Sequence, residues 1–188
     1  IYLRADFGST EFKNEIENIC RGFEKKVFVF FWGTFWNIKY TKIINILERA
    51  HNETDILVYM KMRMGYDHAK EILDVFPILE QYPIKNIAIH ARIGKQLYKG
   101  PVNLDAFERC ITKTKHKLYY NGDITSVHTF KTMQARFPSL DHFMIGRGLI
   151  ADPFLPQMIK NDTAEYPKNR WDIFEEFHNT IYTQYDDY

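Results

Sequence analysis

Residues 86–90 read Asn-Ile-Ala-Ile-His, a short apolar run that ends in a histidine at the start of a polar loop. Similar runs recur along the chain, separated by segments whose apolar residues repeat at helical spacing. Six segments are predicted as strands: Ile1–Leu3, Val27–Trp32, Ile56–Met62, Asn86–His90, Lys117–Tyr120 and His142–Ile145. Six are predicted as helices: Glu11–Cys20, Tyr40–Ala50, His68–Leu79 with an interruption near Pro77, Leu104–Thr114, Val127–Phe137 and Trp171–Tyr185. Strands that alternate with helices indicate parallel βα units and an α/β fold.

The chain has 188 residues, 25 Lys and Arg against 24 Asp and Glu, and 45% apolar residues, which is the composition of a globular domain. The near-neutral charge excludes a protein that is basic throughout but permits a basic patch. Cys20 and Cys110 lie in no CxxC pair, which excludes a disulfide framework and favours a reducing, cytoplasmic location. The longest apolar run, Val27–Trp36, has half of the roughly 20 residues of a membrane helix, so no membrane segment and no signal peptide is expected.

Candidate site residues follow the predicted strands, because sites in parallel α/β folds form at the carboxyl ends of strands. Four strand ends in succession carry polar residues or glycines: Lys61 with Arg63, His90 with Arg92, Asn121-Gly122-Asp123, and Gly146-Arg147-Gly148. An ammonium group buried at Lys61 is costly unless it meets an anion or an electron-rich ligand atom. The alternative is a lysine paired with a neighbouring carboxylate. For His90, the alternative is a core histidine whose hydrogen bonds are satisfied.

The last two strand ends together favour a phosphate site. Glycine brings backbone N–H groups close to a ligand, and Arg147 could bind a phosphate through two hydrogen bonds. Each segment by itself could be a plain turn.

A basic stretch runs from Lys85 to Lys117, with eight Lys and Arg against two acids. Such a stretch near the strand ends is typical of contacts with a nucleic-acid backbone. For four of these residues the preferred interpretation is a solvated helix face: Arg109, Lys113, Lys115 and Lys117. The loop residues Arg92, Lys95 and Lys99 are the candidates for a polyanion.

The order and spacing of these motifs resemble the tRNA-dihydrouridine synthase family. The resemblance runs from about residue 40 to residue 156 and rests on four segments: Met60-Lys61-Met62-Arg63-Met64-Gly65, Ile89-His90-Ala91-Arg92 with Lys95–Gly100, Asn121-Gly122-Asp123-Ile124, and Ile145-Gly146-Arg147-Gly148 with Asp152–Leu155. It implies an FMN-dependent (β/α)8 barrel that reduces uridines in tRNA, with NADPH as reductant. The target base would have to be flipped out of its stack.

The resemblance also implies roles for individual residues. Lys61 and His90 would contact the flavin ring system. The FMN phosphate would be held by Asn121, Gly122, Asp123, Gly146 and Arg147. The target uridine and the tRNA backbone would face Arg63, Arg92, Lys95, Gln96 and Tyr98.

Several features depart from the family pattern. The Asn-x-Gly-Cys-Pro motif that supplies a proton-donating cysteine has no counterpart, and neither Cys20 nor Cys110 matches its position, so no catalytic residue is assigned. The family's third and fourth strands are missing near residues 33–39. Arg4-Ala5-Asp6 stands where the family has a flavin-contacting corner, and the C-terminal helical part is shortened.

We therefore predict a (β/α)8-derived domain with six of eight strands over residues 1–156 and a helical extension over 157–188. Because an incomplete barrel exposes sheet edges, we also predict either a homodimer that covers them or a natural protein that contains the missing segment, which is absent from this sequence. The aromatic cluster from Phe28 to Trp36 is either a core corner or part of that interface. Three functions compete: a working tRNA-dihydrouridine synthase, a catalytically inactive relative that still binds tRNA or phosphate, and an unrelated phosphate-binding barrel fragment.

Overall fold

The computed structural model of the chain describes residues 26–30, 44, 47–48, 51–52 and 57–185. A parallel sheet of five strands lies in this part, and its spatial order is the order in sequence. The strands are β1 (Lys26–Phe30), β2 (Leu57–Arg63), β3 (Ile84–His90), β4 (Leu118–Asn121) and β5 (Phe143–Met144). The helices are α1 (Glu71–Leu79), α2 (Leu104–Ile111), α3 (Val127–Arg136), α4 (Arg147–Ala151), α5 (Leu155–Lys160) and α6 (Arg170–Tyr185).

The α/β class and the parallel pairing are confirmed. Five of the six predicted strands are found, and the sixth, Ile1–Leu3, lies outside the described residues, as do the helix Glu11–Cys20 and the connection 33–39. Among the described strands β1 and β5 are the edges, so derivation from an eight-stranded barrel remains a prediction, and so does the homodimer.

The expected interruption near Pro77 is wrong. Helix α1 continues through Pro77 to Leu79, although proline removes one helical hydrogen bond. Phe76 and Leu79 are buried on either side of it, while Pro77 itself is exposed. Burial of these two side chains outweighs the missing bond.

The sheet has one apolar and one polar face, because side chains alternate along a strand. Met60 and Met62 of β2 pair with Ile87 and Ile89 of β3, and all four are buried. Further along this face, the ring of Tyr120 packs edge-on against the ring of Phe107 in α2, and the two ring centroids are 5.0 Å apart. The opposite face carries the polar residues of the candidate site.

The chain divides into two compact units. One contains the residues up to Gly122 together with Leu140–Met144, and therefore the sheet, α1 and α2. The other contains Asp123–Ser139 and Ile145–Tyr188, with a small core of Val127, Leu155 and Met158. In the second unit, the apolar residues of α6 predicted to share one face are exposed: Phe174, Phe177 and Ile181. The functional division at residue 156 remains a prediction.

Over the described ranges, none of the helices combines the length and the apolar character required to span a bilayer.

Candidate functional site

Three predicted site residues form one row across the sheet. Arg63 pairs with His90, His90 pairs with Asn121, and Asn121 pairs with Met144. The row lies at the carboxyl ends of four parallel strands, the edge at which α/β proteins place their ligands. Its members therefore share one face and one end of the sheet. Asn121 also donates from Nδ2 to the carbonyl oxygen of Met144 at 2.8 Å, which ties β4 to β5.

Lys61 stands two residues before this row on the same face of β2 and is half-buried. Burial lowers the pKa of its ammonium group, and the positive charge of Arg63 lowers it further. Among the described residues no carboxylate forms an ion pair with Lys61, so the alternative of a paired lysine finds no support there. The positive charges of Lys61 and Arg63 lie close together in a partly buried region, and such an arrangement favours the binding of an anion.

His90 is buried, and its Nε2 atom lies 3.3 Å from Nη1 of Arg92. Because a guanidinium group only donates hydrogen bonds, this contact makes Nε2 the acceptor and assigns the proton of the neutral ring to Nδ1. The His90 ring also lies beside the ring of Tyr98, with centroids 5.8 Å apart. His90 is thus held between two residues of the loop that follows its own strand.

The predicted substrate-facing residues separate into two groups. Arg63 and Arg92 are buried and donate to backbone carbonyl groups of residues 93–100. Gln96 is also used within this loop, because its Oε1 accepts from the N–H of Ile93 at 3.0 Å. Lys95 and Tyr98, in contrast, present their side chains to solvent.

Backbone hydrogen bonds join this loop, residues 91–103 and here called the β3 loop, to the loop after β2. The N–H groups of Gly94 and Lys95 donate to the carbonyl oxygens of Gly65 and Tyr66, at 2.6 and 3.1 Å. A Cβ atom on Gly65 would lie 2.1 Å from the carbonyl oxygen of His68, so only glycine fits there. The exposed ammonium of Lys95 forms an ion pair with Asp67, which raises the pKa of Lys95.

The second unit holds three of the other predicted phosphate-binding residues, Asp123, Gly146 and Arg147, whereas Gly122 ends the first unit. Arg147 Nη2 lies 3.0 Å from Oδ1 of Asp123, and both side chains are partly exposed. Asp123 has a left-handed backbone with φ 42°. A Cβ atom on Gly146 would meet nothing within 4 Å, whereas one on Gly148 would lie 2.1 Å from the carbonyl oxygen of Ile124. Open space beside Gly146 and a nearby guanidinium suit a phosphate oxygen, although the Asp123 carboxylate competes for the same arginine.

Two residues of this site were missed from sequence. Asn86 is buried on the polar face of β3, as the register partner of Tyr59. A buried amide inside an apolar strand was the available signal, because such a group needs a hydrogen-bonding partner. Asp67 was missed because nothing in the sequence indicated that the two loops are joined.

Neither a thiol nor a metal cluster is available as a reactive group in the described part of the chain. Cys110 is buried in α2, and burial raises the pKa of its thiol to about 12. Its Sγ atom donates to the carbonyl oxygen of Ala106 at 3.3 Å. The same residues contain no group of three or more His, Cys, Asp and Glu that could hold a metal ion. Cys20 lies outside the described residues.

A parallel α/β protein with its polar residues at the carboxyl ends of the strands is the class that this fold and site define. The family model described as dihydrouridine synthase (Dus) matches residues 25–187. The chain therefore belongs to the dihydrouridine synthase family.

Curated relatives carry the same description. The tRNA-dihydrouridine synthase B of Pasteurella multocida is 27% identical over 117 residues, 62% of this chain and 35% of the relative. The tRNA-dihydrouridine(16) synthase of Cupriavidus necator is 30% identical over 112 residues, 60% of this chain and 34% of the relative. That of Pseudomonas syringae pv. tomato is 33% identical over 105 residues, 56% and 33% of the two chains. The chain thus spans about a third of the length of these relatives.

Proposed function

We propose that this chain provides the flavin-facing and tRNA-facing part of a tRNA-dihydrouridine synthase, which reduces uridine to dihydrouridine in tRNA with FMN and NADPH. The observation that carries this proposal is the row of Arg63, His90 and Asn121 across three parallel strands, in a chain that belongs to the dihydrouridine synthase family. A barrel derived from the (β/α)8 fold is the architecture proposed for the whole protein.

The residues present fit an anionic, phosphate-bearing cofactor. Lys61 offers a half-buried positive charge at the polar face of the sheet. In the second unit, the space beside Gly146 admits a phosphate oxygen next to the backbone, and Arg147 can donate to it. FMN, when bound, supplies the hydride-transfer chemistry that side chains lack, with NADPH as the reductant.

On this proposal the chain's own residues bind and orient the ligands. Lys61 balances negative charge on the cofactor, and His90 contacts the cofactor from the same face of the sheet. Reduction of uridine adds one hydride and one proton across a ring double bond, so the site also needs a proton donor. The basic, exposed side chains of the β3 loop bind the tRNA backbone.

A specific observation favours a second candidate, a catalytically inactive relative that binds tRNA or phosphate. The chain has no Asn-x-Gly-Cys-Pro motif, and the thiol of Cys110 is buried and holds its proton far above neutral pH. Neither feature affects the phosphate-binding or tRNA-binding residues.

The first experiment is a visible absorption spectrum of the purified chain before and after addition of FMN. An oxidised-flavin spectrum that persists after gel filtration supports the flavin site. The second experiment incubates the loaded chain with unmodified tRNA and NADPH and measures dihydrouridine. Product formation supports the synthase, whereas salt-sensitive tRNA binding without product supports the inactive relative. A chain that binds neither FMN nor tRNA contradicts both.

A further inference from the structure

Two buried arginines bind the backbone of the β3 loop. Nη1 of Arg63 donates to the carbonyl oxygens of Ile93 and Leu97, at 3.0 and 2.6 Å. Arg92 donates from Nε and Nη2 to the carbonyl oxygen of Gly100, at 3.1 and 2.7 Å. The loop is therefore held near its start, at its middle and near its end by guanidinium groups.

Two of the three carbonyl groups that the arginines bind belong to the left-handed residues of the loop. Leu97 has φ 52° and Gly100 has φ 68°. A left-handed backbone is unfavourable for leucine, because its Cβ atom crowds the following carbonyl group. Arg63 binds the carbonyl of Leu97, and Arg92 binds that of Gly100. Arginine hydrogen bonds thus lie at both left-handed positions of the loop.

Burial decides what these arginines are able to contact. Arg63 is 6% exposed and Arg92 is 3% exposed, so neither presents a guanidinium group to a large polyanion in bulk solvent. A buried charge is tolerated when its donors are satisfied, and bonds from a charged donor are stronger than neutral ones. Backbone carbonyl groups perform that role here.

The outer surface of the loop carries different residues. Tyr98, which follows the strained Leu97, is 42% exposed, and the guanidinium of Arg63 lies over its ring, 5.3 Å from the centroid. Lys95 and Lys99 are exposed on either side of this tyrosine. The backbone conformation at Leu97 therefore sets the positions of the Tyr98 ring and of the ammonium groups of Lys95 and Lys99.

We propose that Arg63 and Arg92 are positioning residues that fix the two left-handed turns of the β3 loop. The contacts with tRNA, a step that rests on the proposed function, come from the exposed side chains of Lys95, Tyr98 and Lys99. The arginines affect the contacts with the tRNA backbone through the shape that they give to this surface.

Hydrogen exchange of the full chain without tRNA tests whether the two arginines fix the conformation of the β3 loop. In the loop, the N–H groups of Leu97 and Lys99 donate to the carbonyl oxygens of Gly94 and Gln96. Arg63→Lys keeps the charge but replaces the rigid pair of N–H donors on Nη1 with a rotatable, strongly hydrated ammonium group. These amides are therefore expected to exchange about tenfold faster or more, with the amides of β3 unchanged. Unchanged exchange in the loop overturns the proposal.

A second substitution at Leu97 distinguishes a positioning role of Arg63 from a general loss of stability. Asparagine tolerates the left-handed region better than leucine, so adding Leu97→Asn to Arg63→Lys is expected to restore part of the slow exchange. No rescue overturns the role assigned to Arg63 at Leu97. If Arg63→Lys does not fold, Arg92→Lys gives the same test at the Gly100 end of the loop: faster loop exchange supports the proposal, and unchanged exchange overturns it.

Binding of unmodified tRNA tests whether the conformation of the β3 loop governs the contacts of its exposed side chains with tRNA. Lysine replaces arginine well at a phosphate, where it acts as a point charge, but poorly where two directed bonds are needed. Arg63→Lys is therefore expected to weaken tRNA binding about tenfold, and wild-type affinity in this variant overturns the proposal. If the wild-type chain binds no tRNA, the proposed function fails, while the exchange experiment still decides the role of the arginines.

Discussion

Arg63 and His90 are Cα partners at the last paired position of β2 and β3. Both side chains are buried, and both are bound by the β3 loop, Arg63 at the carbonyl of Leu97 and His90 at Nη1 of Arg92. Strand register, rather than a flexible loop, therefore sets the distance between a cation and an imidazole at this end of the sheet. Substitutions around this pair are expected to separate ligand binding from folding.

Lys61→Met is expected to weaken FMN binding about tenfold or more, because the charge-assisted contact proposed between Lys61 and the cofactor is lost. The same variant is expected to unfold at equal or higher urea concentration than the wild type, since an apolar side chain of similar length replaces a partly buried ammonium that has no ion pair among the described residues. FMN titration and urea unfolding measure the two effects. Lys85→Met, at an exposed position of β3, is the matched control and leaves FMN binding unchanged. A destabilised Lys61→Met would indicate a structural lysine.

Substitutions at Gly146 and Gly148 are also expected to separate an effect on FMN binding from an effect on stability. Gly148→Ala places a Cβ atom 2.1 Å from a backbone oxygen and is expected to destabilise the second unit by about 2 kcal/mol. Gly146→Ala meets open space and is therefore expected to destabilise the second unit less than Gly148→Ala does, while FMN affinity falls because the methyl group occupies the space proposed for the phosphate. Thermal unfolding and FMN titration of both variants measure these effects. Normal FMN affinity in Gly146→Ala would remove this turn from the phosphate site.

The sequence was sufficient to predict the row of site residues but not the loop that surrounds it. Strand periodicity and a parallel sheet bring residues such as His90 and Asn121 together, because neighbouring strands end at the same edge. The left-handed conformation of Leu97 has no sequence signature, since leucine rarely adopts it and the hydrogen bond that its carbonyl group accepts from Arg63 is a tertiary contact. The resemblance placed Arg63 and Arg92 among the residues that face the target uridine and the tRNA backbone, and it gave no indication that both side chains are buried.

Asp67 is expected to weaken tRNA binding by occupying Lys95. Because the two form an exposed ion pair, Asp67→Asn releases the ammonium group for a phosphate and is expected to strengthen tRNA binding about two- to fivefold. Lys95→Ala is expected to weaken binding and to reduce the salt slope by about 0.7–0.9. Filter binding at several salt concentrations measures both. Asp67→Asn in the Lys95→Ala background is the control, and an equal gain in affinity there would exclude Lys95 as the residue that Asp67 restrains.

Glu80, at the C-terminal end of α1, links this helix to the connection before β4. Partial burial would raise the pKa of its carboxyl group, but hydrogen bonds from the hydroxyl of Thr114 and from the N–H and ammonium of Lys115, with the charge of His116, lower it to about 2. The carboxylate form is thus stabilised by folding. This contribution is present above the unfolded-state pKa of about 4.5 and is lost as the pH falls towards about 2.

Glu80→Gln is therefore expected to lower the free energy of unfolding at pH 7 by about 1 kcal/mol, a value reduced from the full pKa shift because the side chain remains partly exposed. The difference between variant and wild type is expected to shrink between pH 4.5 and pH 2, since the wild-type carboxylate becomes protonated over that range. Urea unfolding at pH 7, 4 and 3 measures it. Asp74→Asn, at an exposed carboxylate of the same helix, is the control. A difference that stays constant with pH would mean that Glu80 acts through packing and not through its charge.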